Sequence, residues 1–456
     1  MARRALCGAP LPASVICVTS LRAVPASTPR PSPHPRAPAA ELPHPLVRTP
    51  EQWKDALVRM GERPYRALPL FQWIHRRGVT DAQAMTDLPV TLRERLAAEG
   101  LSPVLEVSTI RRSLDDTRKL LVRFGDHATV ETVLIPSVSG PSVSGPSISG
   151  PGGAARASDD ADAATADLDE DSAVEGEGGD EVRRVTQCIS TQVGCAMGCV
   201  FCASGVAGLQ RHLGAHEIVA QVLAGRSLLD EGEQLRNVVL MGMGEPLHNY
   251  EETARALRLL SHPAGINLSS RRVTVSTSGL VPEIDRLGRE FGGQVTLAIS
   301  LHATTDEQRS ALMPINKKYP LGELLAALRR YPLPKRRRFT IEFTLVAGQN
   351  DDLAEARRLV ALLRGIPVKV NLIPMNPISA SVLAPPDFQR VLAFQKVLLD
   401  AGYSCFIRRR RGDDVSAACG QLALIGAKPR PRRPFAAPEG PRDETTEVDP
   451  HESDER

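Results

Sequence analysis

Residues 188–205 read CISTQVGCAMGCVFCASG, a stretch in which Cys195, Cys199 and Cys202 stand four and three positions apart. Thiolates are the usual ligands of iron–sulfur clusters, and a loop this short wraps a cubane. Three ligands leave one iron without a protein thiolate, open to a small molecule that chelates through its amino and carboxylate groups. Structural zinc with Cys188 as fourth ligand is the competing reading. Zinc sites generally pair their cysteines in two C-x-x-C knuckles, and here there is no second pair. Glycines 194, 198 and 205 give the stretch loop character, which argues against three inert core cysteines.

Outward from this loop, the chain beyond Arg183 alternates between two periods. Strands are predicted at Val185–Ser190, Asn237–Met241, Arg272–Thr277, Val295–Leu301, Phe339–Val346, Val368–Ile373 and Ser404–Arg408. Between them, helices are predicted at His216–Leu229, Tyr250–Leu260, Val281–Arg289, Leu321–Arg330, Leu353–Leu363 and Pro386–Ala401. Such alternation implies parallel strands joined by right-handed crossovers. The polar and glycine-bearing segments GMGEP, STSG and SLHAT each follow a strand. Chemistry gathered at carboxyl ends of parallel strands points to an α/β fold, a partial (β/α) barrel over 183–426.

Upstream, Trp53, Leu57 and Met60, then Leu70, Trp73 and Ile74, then Leu88, Leu92 and Leu96 recur at helix spacing, so 46–115 reads as a small N-terminal helical domain. A β connection over 116–136 follows, with strands at Lys119–Phe124 and Thr129–Ile135 turning at Asp126. The repeat PSVSG-PSVSG-PSISG and an acidic run then fill 137–182, which reads as a flexible insert. Residues 1–45 and 427–456 are rich in Pro or charge and read as disordered. The amino end only faintly resembles a targeting peptide. An extension, or a start codon placed too far upstream, fits it better.

The 456 residues carry 56 basic and 53 acidic side chains. Eleven of those acids, and no base, lie in 159–181, so the remainder of the chain is at net +14, a balance that suits a polyanionic partner. Candidate phosphate contacts are Lys335–Arg338 and Arg408–Arg411, with Lys317, Lys318, Arg271 and Arg272, although such blocks are commonly plain solvated faces. Four of eight cysteines fall within 15 residues, a pattern of metal binding in a reducing compartment rather than of disulfide stapling. No run of 18 apolar residues suggests a membrane span.

The triplet C-x3-C-x2-C resembles the radical S-adenosylmethionine signature. With VVLMGMGEPLHNY, VTVSTSGLVP, AISLHAT, LIPMNP and RRRRGDDVSAACGQL, the chain resembles the RlmN family from about Pro50 to Leu424, the insert apart. The resemblance implies a radical-SAM barrel, a [4Fe-4S] cluster on Cys195, Cys199 and Cys202, and S-adenosylmethionine held by Gly244, Glu245, Ser276, Ser300, Leu301, His302 and Asn376. It implies an RNA methyltransferase that makes 2-methyladenine at the peptidyl transferase centre of 23S rRNA and next to the anticodon in tRNA. Cys419 is then the methylated carrier, Cys188 the thiol that resolves the RNA adduct through a transient disulfide, and Glu131 the proton acceptor. Taken singly, His302 reads as a core histidine, Ser276 as a strand-end hydrogen bond, Glu131 as a surface carboxylate and Cys419 as an inert thiol. Arginines near Cys419 would favour its thiolate. The insert leaves open whether Glu131 and Cys188 meet. A monomeric cytoplasmic enzyme with a flavodoxin-like electron donor is expected. The alternatives are adenine C8 methylation of 23S rRNA and a non-catalytic zinc protein that binds RNA.

Overall fold

Thr49 opens the first helix with a capping box: its side chain accepts from the Gln52 amide, Gln52 reaches back to the Thr49 amide, and Pro50 takes the first helical position. The computed structural model describes residues 42–137, 182–378, 381–408 and 410–422. The expected disorder over 1–45 therefore lies mostly outside the described residues, as do nearly all of the insert and the tail. Pro45–Val47 differs from that expectation. It forms a short 3-10 turn that buries Leu46 completely.

Three short helices, α1 (Pro50–Arg59), α2 (Ala67–His75) and α3 (Val90–Ala98), bury the stripes Trp53 and Leu57, Leu70 and Ile74, and Leu92 and Leu96. The helical reading of 46–115 stops short of its end, because β1 (Leu105–Arg112) begins there. Its alternation is mostly exposed, leaving little apolar signal. β1 pairs antiparallel with β2 (Arg118–Phe124), which pairs antiparallel with β3 (Thr129–Pro136). β3 in turn pairs antiparallel with β4 (Arg183–Cys188), in register Val133 to Cys188 and Pro136 to Val185. The two ends of the insert thus meet as neighbouring strands.

A two-stranded ribbon, β5 (Gln192–Val193) with β6 (Arg211–His212), closes the cysteine loop around the short α4 (Ala203–Ala207). The barrel repeats follow as α5 (Ala215–Ser227), β7 (Glu233–Leu240), α6 (Tyr250–Leu260), β8 (Val273–Thr277), α7 (Val281–Phe291), β9 (Thr296–Ser300), α8 (Asp306–Leu312), α9 (Leu321–Arg330), β10 (Phe339–Leu345), α10 (Leu353–Leu362), β11 (Val368–Pro374), α11 (Phe388–Asp400) and β12 (Ser404–Ile407). The ten-stranded sheet runs β1-β2-β3-β4-β7-β8-β9-β10-β11-β12, and it is parallel from β4 to β12. It is an open barrel of parallel strands extended by a three-stranded antiparallel wing. β10 is buried at every position, as expected of a central strand covered on both faces.

Because all seven parallel strands point one way, their carboxyl ends and following loops share one end of the barrel. The cationic blocks divide accordingly. Arg408, Arg410 and Arg411 follow β12, and Lys317 and Lys318 follow α8, at the carboxyl end. Arg271 and Arg272 precede β8, and Lys335–Arg338 precede β10, at the opposite end. No helix among the described residues is long and apolar enough to cross a membrane.

Candidate active site

An open-mouthed cavity lies among the carboxyl ends of the parallel strands. Cys195, Cys199, Cys202 and Cys419 all line it. The cysteine loop is pinned from three sides. The Cys195 amide donates to the Gly208 carbonyl (3.2 Å), the Val200 amide to Leu312 (3.1 Å), and the Ala203 amide to Gly420 (2.9 Å). Gly194 is required by the first of these crossings: its φ is +77°, and a Cβ there would fall 1.9 Å from the Gly208 carbonyl oxygen. Burial raises the pKa of each loop thiol, and the thiols reinforce one another at Cys195 and Cys199.

Among the described residues, no three His, Cys, Asp or Glu side chains stand close enough to hold a single metal ion. Cys195, Cys199 and Cys202 line one cavity and offer it an all-thiol donor set, the chemistry that iron–sulfur clusters take, so the residues fit such a cluster.

Across the cavity, Glu245 is buried and accepts from the Ser278 amide (2.8 Å), the Ser278 hydroxyl (2.9 Å) and the Leu247 amide (3.1 Å). Burial still raises its pKa. Its own amide donates to Gln192 Oε1 (2.8 Å), which ties GMGEP to β5. Gly244, at φ +106°, lets the chain pass Gln192: a Cβ would lie 2.6 Å from Gln192 Cβ.

Ser276, Ser300 and His302 line the same wall. His302 takes a left-handed backbone (φ +58°), unusual for a residue with a side chain. Its Nδ1 accepts from the Thr344 amide (2.9 Å), and its ring meets Phe201 edge-on at 4.7 Å. Burial lowers its pKa to about 3, so the ring is neutral with its proton on Nε2. Leu301 is wholly buried and does not line the cavity; its backbone donates to Glu342 O (3.0 Å) and accepts from Arg309 Nε (3.0 Å). A side chain between two inward-facing neighbours on a strand end points the other way.

Asn376 lines the cavity and donates from Nδ2 to the Cys419 carbonyl (2.9 Å), while its buried Oδ1 has no hydrogen-bond partner among the described residues. Cys419 is exposed, but to the cavity. Enclosure there raises the thiol pKa, Arg408 pulls it down through charge and a hydrogen bond, and Glu342 pushes it up. The net direction is upward, so Arg408 moderates the effect of burial without overturning it. Cys188, at the end of β4, lies outside the wall, buried, with its pKa pushed up to about 12 by burial and further by Cys419. Glu131 also lies outside it. This carboxylate pairs with Lys119 Nζ (2.9 Å), which donates to the Ser416 carbonyl (3.1 Å) in the loop that carries Cys419.

That loop is fastened by the β1–β2 turn. Asp115 accepts from the Gly412 amide (3.1 Å) and pairs with Arg411 (3.1 Å), and Asp414 receives the Ser113 hydroxyl and the Leu114 amide (3.2 Å). Sequence reasoning missed Ser278, Glu342 and Arg309. A carboxylate inside the apolar run FTIEFTL marks Glu342 as unusual, but nothing local distinguishes the other two.

The model of the radical SAM superfamily matches residues 189–360, and that of the ribosomal RNA large subunit methyltransferase N-terminal domain matches 48–100. A dual-specificity RNA methyltransferase RlmN from Sorangium cellulosum is 69% identical over 390 residues, 86% of this chain and 98% of that protein. Its namesake from Acidiphilium cryptum is 42% identical over 82% of this chain and 86% of its own length. The crystal structure of a radical SAM methyltransferase from Sphaerobacter thermophilus superposes with TM-score 0.70 at 42% identity, covering 83% of this chain and 98% of that one.

Proposed function

The chain belongs to the RlmN family of dual-specificity RNA methyltransferases, within the radical SAM superfamily, and from that membership we propose that it makes 2-methyladenine in 23S rRNA and tRNA through a methyl group carried on Cys419. It is a radical SAM RNA methyltransferase, and its family works with S-adenosylmethionine and an iron–sulfur cluster. The observation that carries the finer reading is the sharing of one cavity by Cys195, Cys199, Cys202 and Cys419.

Cys195, Cys199 and Cys202 would hold a [4Fe-4S] cluster. When bound, that cluster supplies the single electron that turns S-adenosylmethionine into a hydrogen-atom abstractor. Glu245, fixed by Ser278 and Leu247, keeps acceptor capacity for the cofactor's ammonium, and the free Oδ1 of Asn376 and the Nε2–H of neutral His302 add an acceptor and a donor. Arg408 favours the Cys419 thiolate that displaces a methyl group from S-adenosylmethionine. One methyl hydrogen leaves to the abstractor as the carried carbon bonds adenine C2, a carbon not nucleophilic enough for direct polar methylation. Glu131 takes the C2 proton, the adduct's surplus electron would return to the cluster, and Cys188 attacks Cys419 sulfur, so that a disulfide forms while the released carbon takes up a proton as the product's methyl group. An adenine that has left its stack is the substrate such a recessed thiol can reach.

Reduced enzyme incubated with S-adenosylmethionine and rRNA or tRNA should yield 2-methyladenine on nucleoside mass spectrometry. Cys419→Ala should bring methylation to background while iron content stays at the parent level. Methylation by that variant would remove the carrier role.

A further inference from the structure

Arg309, on α8, is wholly buried, and every acceptor around it is neutral. Nε donates to the Leu301 carbonyl (3.0 Å), Nη2 to those of Ser278 (2.7 Å) and Ser300 (3.0 Å), and Nη1 to Asn316 Oδ1 (2.9 Å). Asp306 acts on it only from a distance, since that carboxylate is engaged by Asn316 Nδ2 (3.0 Å) and the Leu321 amide (2.8 Å). Burial lowers the guanidinium pKa to about 10, which leaves it charged at neutral pH. A buried cation without an ion pair is expensive, and four neutral acceptors offset only part of the cost.

Its position indicates what completes the pairing. The carboxyl end of α8 receives the cysteine loop: the Leu312 carbonyl accepts from Val200, and Cys199, Val200 and Phe201 pack on Leu312 and Met313. Arg309 itself holds the carbonyls of Ser278 and Ser300, two residues that line the cavity shared by the cysteines. Three thiolates around an iron–sulfur core give a net anion, and reduction deepens that charge. In a poorly screened interior, a fixed cation stabilises the reduced form more than the oxidised one.

We propose that Arg309 is the built-in counter-charge of the cluster, a positioning residue that raises its reduction potential while its fork ties together the backbone carbonyls of Ser278, Ser300 and Leu301 behind the cofactor wall. This rests on the iron–sulfur reading of Cys195, Cys199 and Cys202.

The test uses the full chain, reconstituted anaerobically with iron and sulfide, with the reduced fraction followed by electron paramagnetic resonance against applied potential. In Arg309→Gln the reduced-to-oxidised ratio at the parent midpoint should fall about tenfold, equivalent to roughly 59 mV for one electron. Arg309→Lys keeps the charge but loses the fork, so its midpoint should stay near the parent's. A Gln variant that loses the cluster while the Lys variant keeps it at the parent midpoint also supports the proposal. An unshifted Gln variant overturns it. So does equal behaviour of Gln and Lys, including loss of the cluster from both, because the fork and not the charge would then be what the site needs. A parent chain that takes up no iron would instead remove the cluster reading itself.

Discussion

Gly244 sits at φ +106° with no space for a Cβ, and the neighbouring amide of Glu245 holds Gln192. Alanine there should cost about 1–3 kcal/mol of local strain. Since that strain falls on the cofactor wall, S-adenosylmethionine affinity measured by equilibrium dialysis should drop roughly tenfold or more. Individual residues were legible where a motif fixed their type, as with the cysteine trio, Glu245 and Asn376. What escaped was orientation. Leu301 turns away because neighbours on a strand end alternate, and Ser278, which the motif did not single out, reaches Glu245 where the chain bends after β8. Glu131 reaches the loop that carries Cys419 through Lys119, a partner that no local spacing announces.

At the level of elements, the β1–β2 turn and the loop carrying Cys419 act as one unit. Burial would raise the Asp115 pKa, but hydrogen bonds from Thr117, Gly412 and Ser113 outweigh it and hold the carboxyl below its ordinary value. A folded-state pKa depressed in this way favours folding above the unfolded value, near 3.9, and that contribution disappears as pH falls through the folded value. The protection of residues 411–421 against hydrogen exchange, relative to their intrinsic rates, should therefore fall below about pH 4 in the parent. In Asp115→Asn that acid step should be absent, with faster exchange already at neutral pH. The sequence marked the strands well, because buried parallel strands are short apolar runs between turn residues. It did not mark β1, whose side chains face solvent, nor the fastening itself, whose partners are far apart in the chain.

For the molecule as a whole, β3 and β4 would be an ordinary hairpin without the insert between them, since the Ser137 amide already donates to the Arg184 carbonyl (2.7 Å). The composition of 138–181 predicts an excursion with no core of its own. Replacing it with a two-residue Asn-Gly turn shortens the loop roughly twentyfold and should stabilise the fold by about 3 kcal/mol in urea denaturation. Iron content and RNA methylation should be unchanged. The barrel was legible from its alternation of periods, whereas the division of cationic blocks between opposite ends required strand direction.

Ser113 and Asp414 touch although 301 positions separate them. On a ribosome, the early hairpin emerges long before the segment that it must grip. The wall bearing Cys419 is thus assembled last, after every other strand has been made. A messenger cut short past α11 would yield a trench with the Cys195–Cys202 loop in place and no Cys419 opposite it.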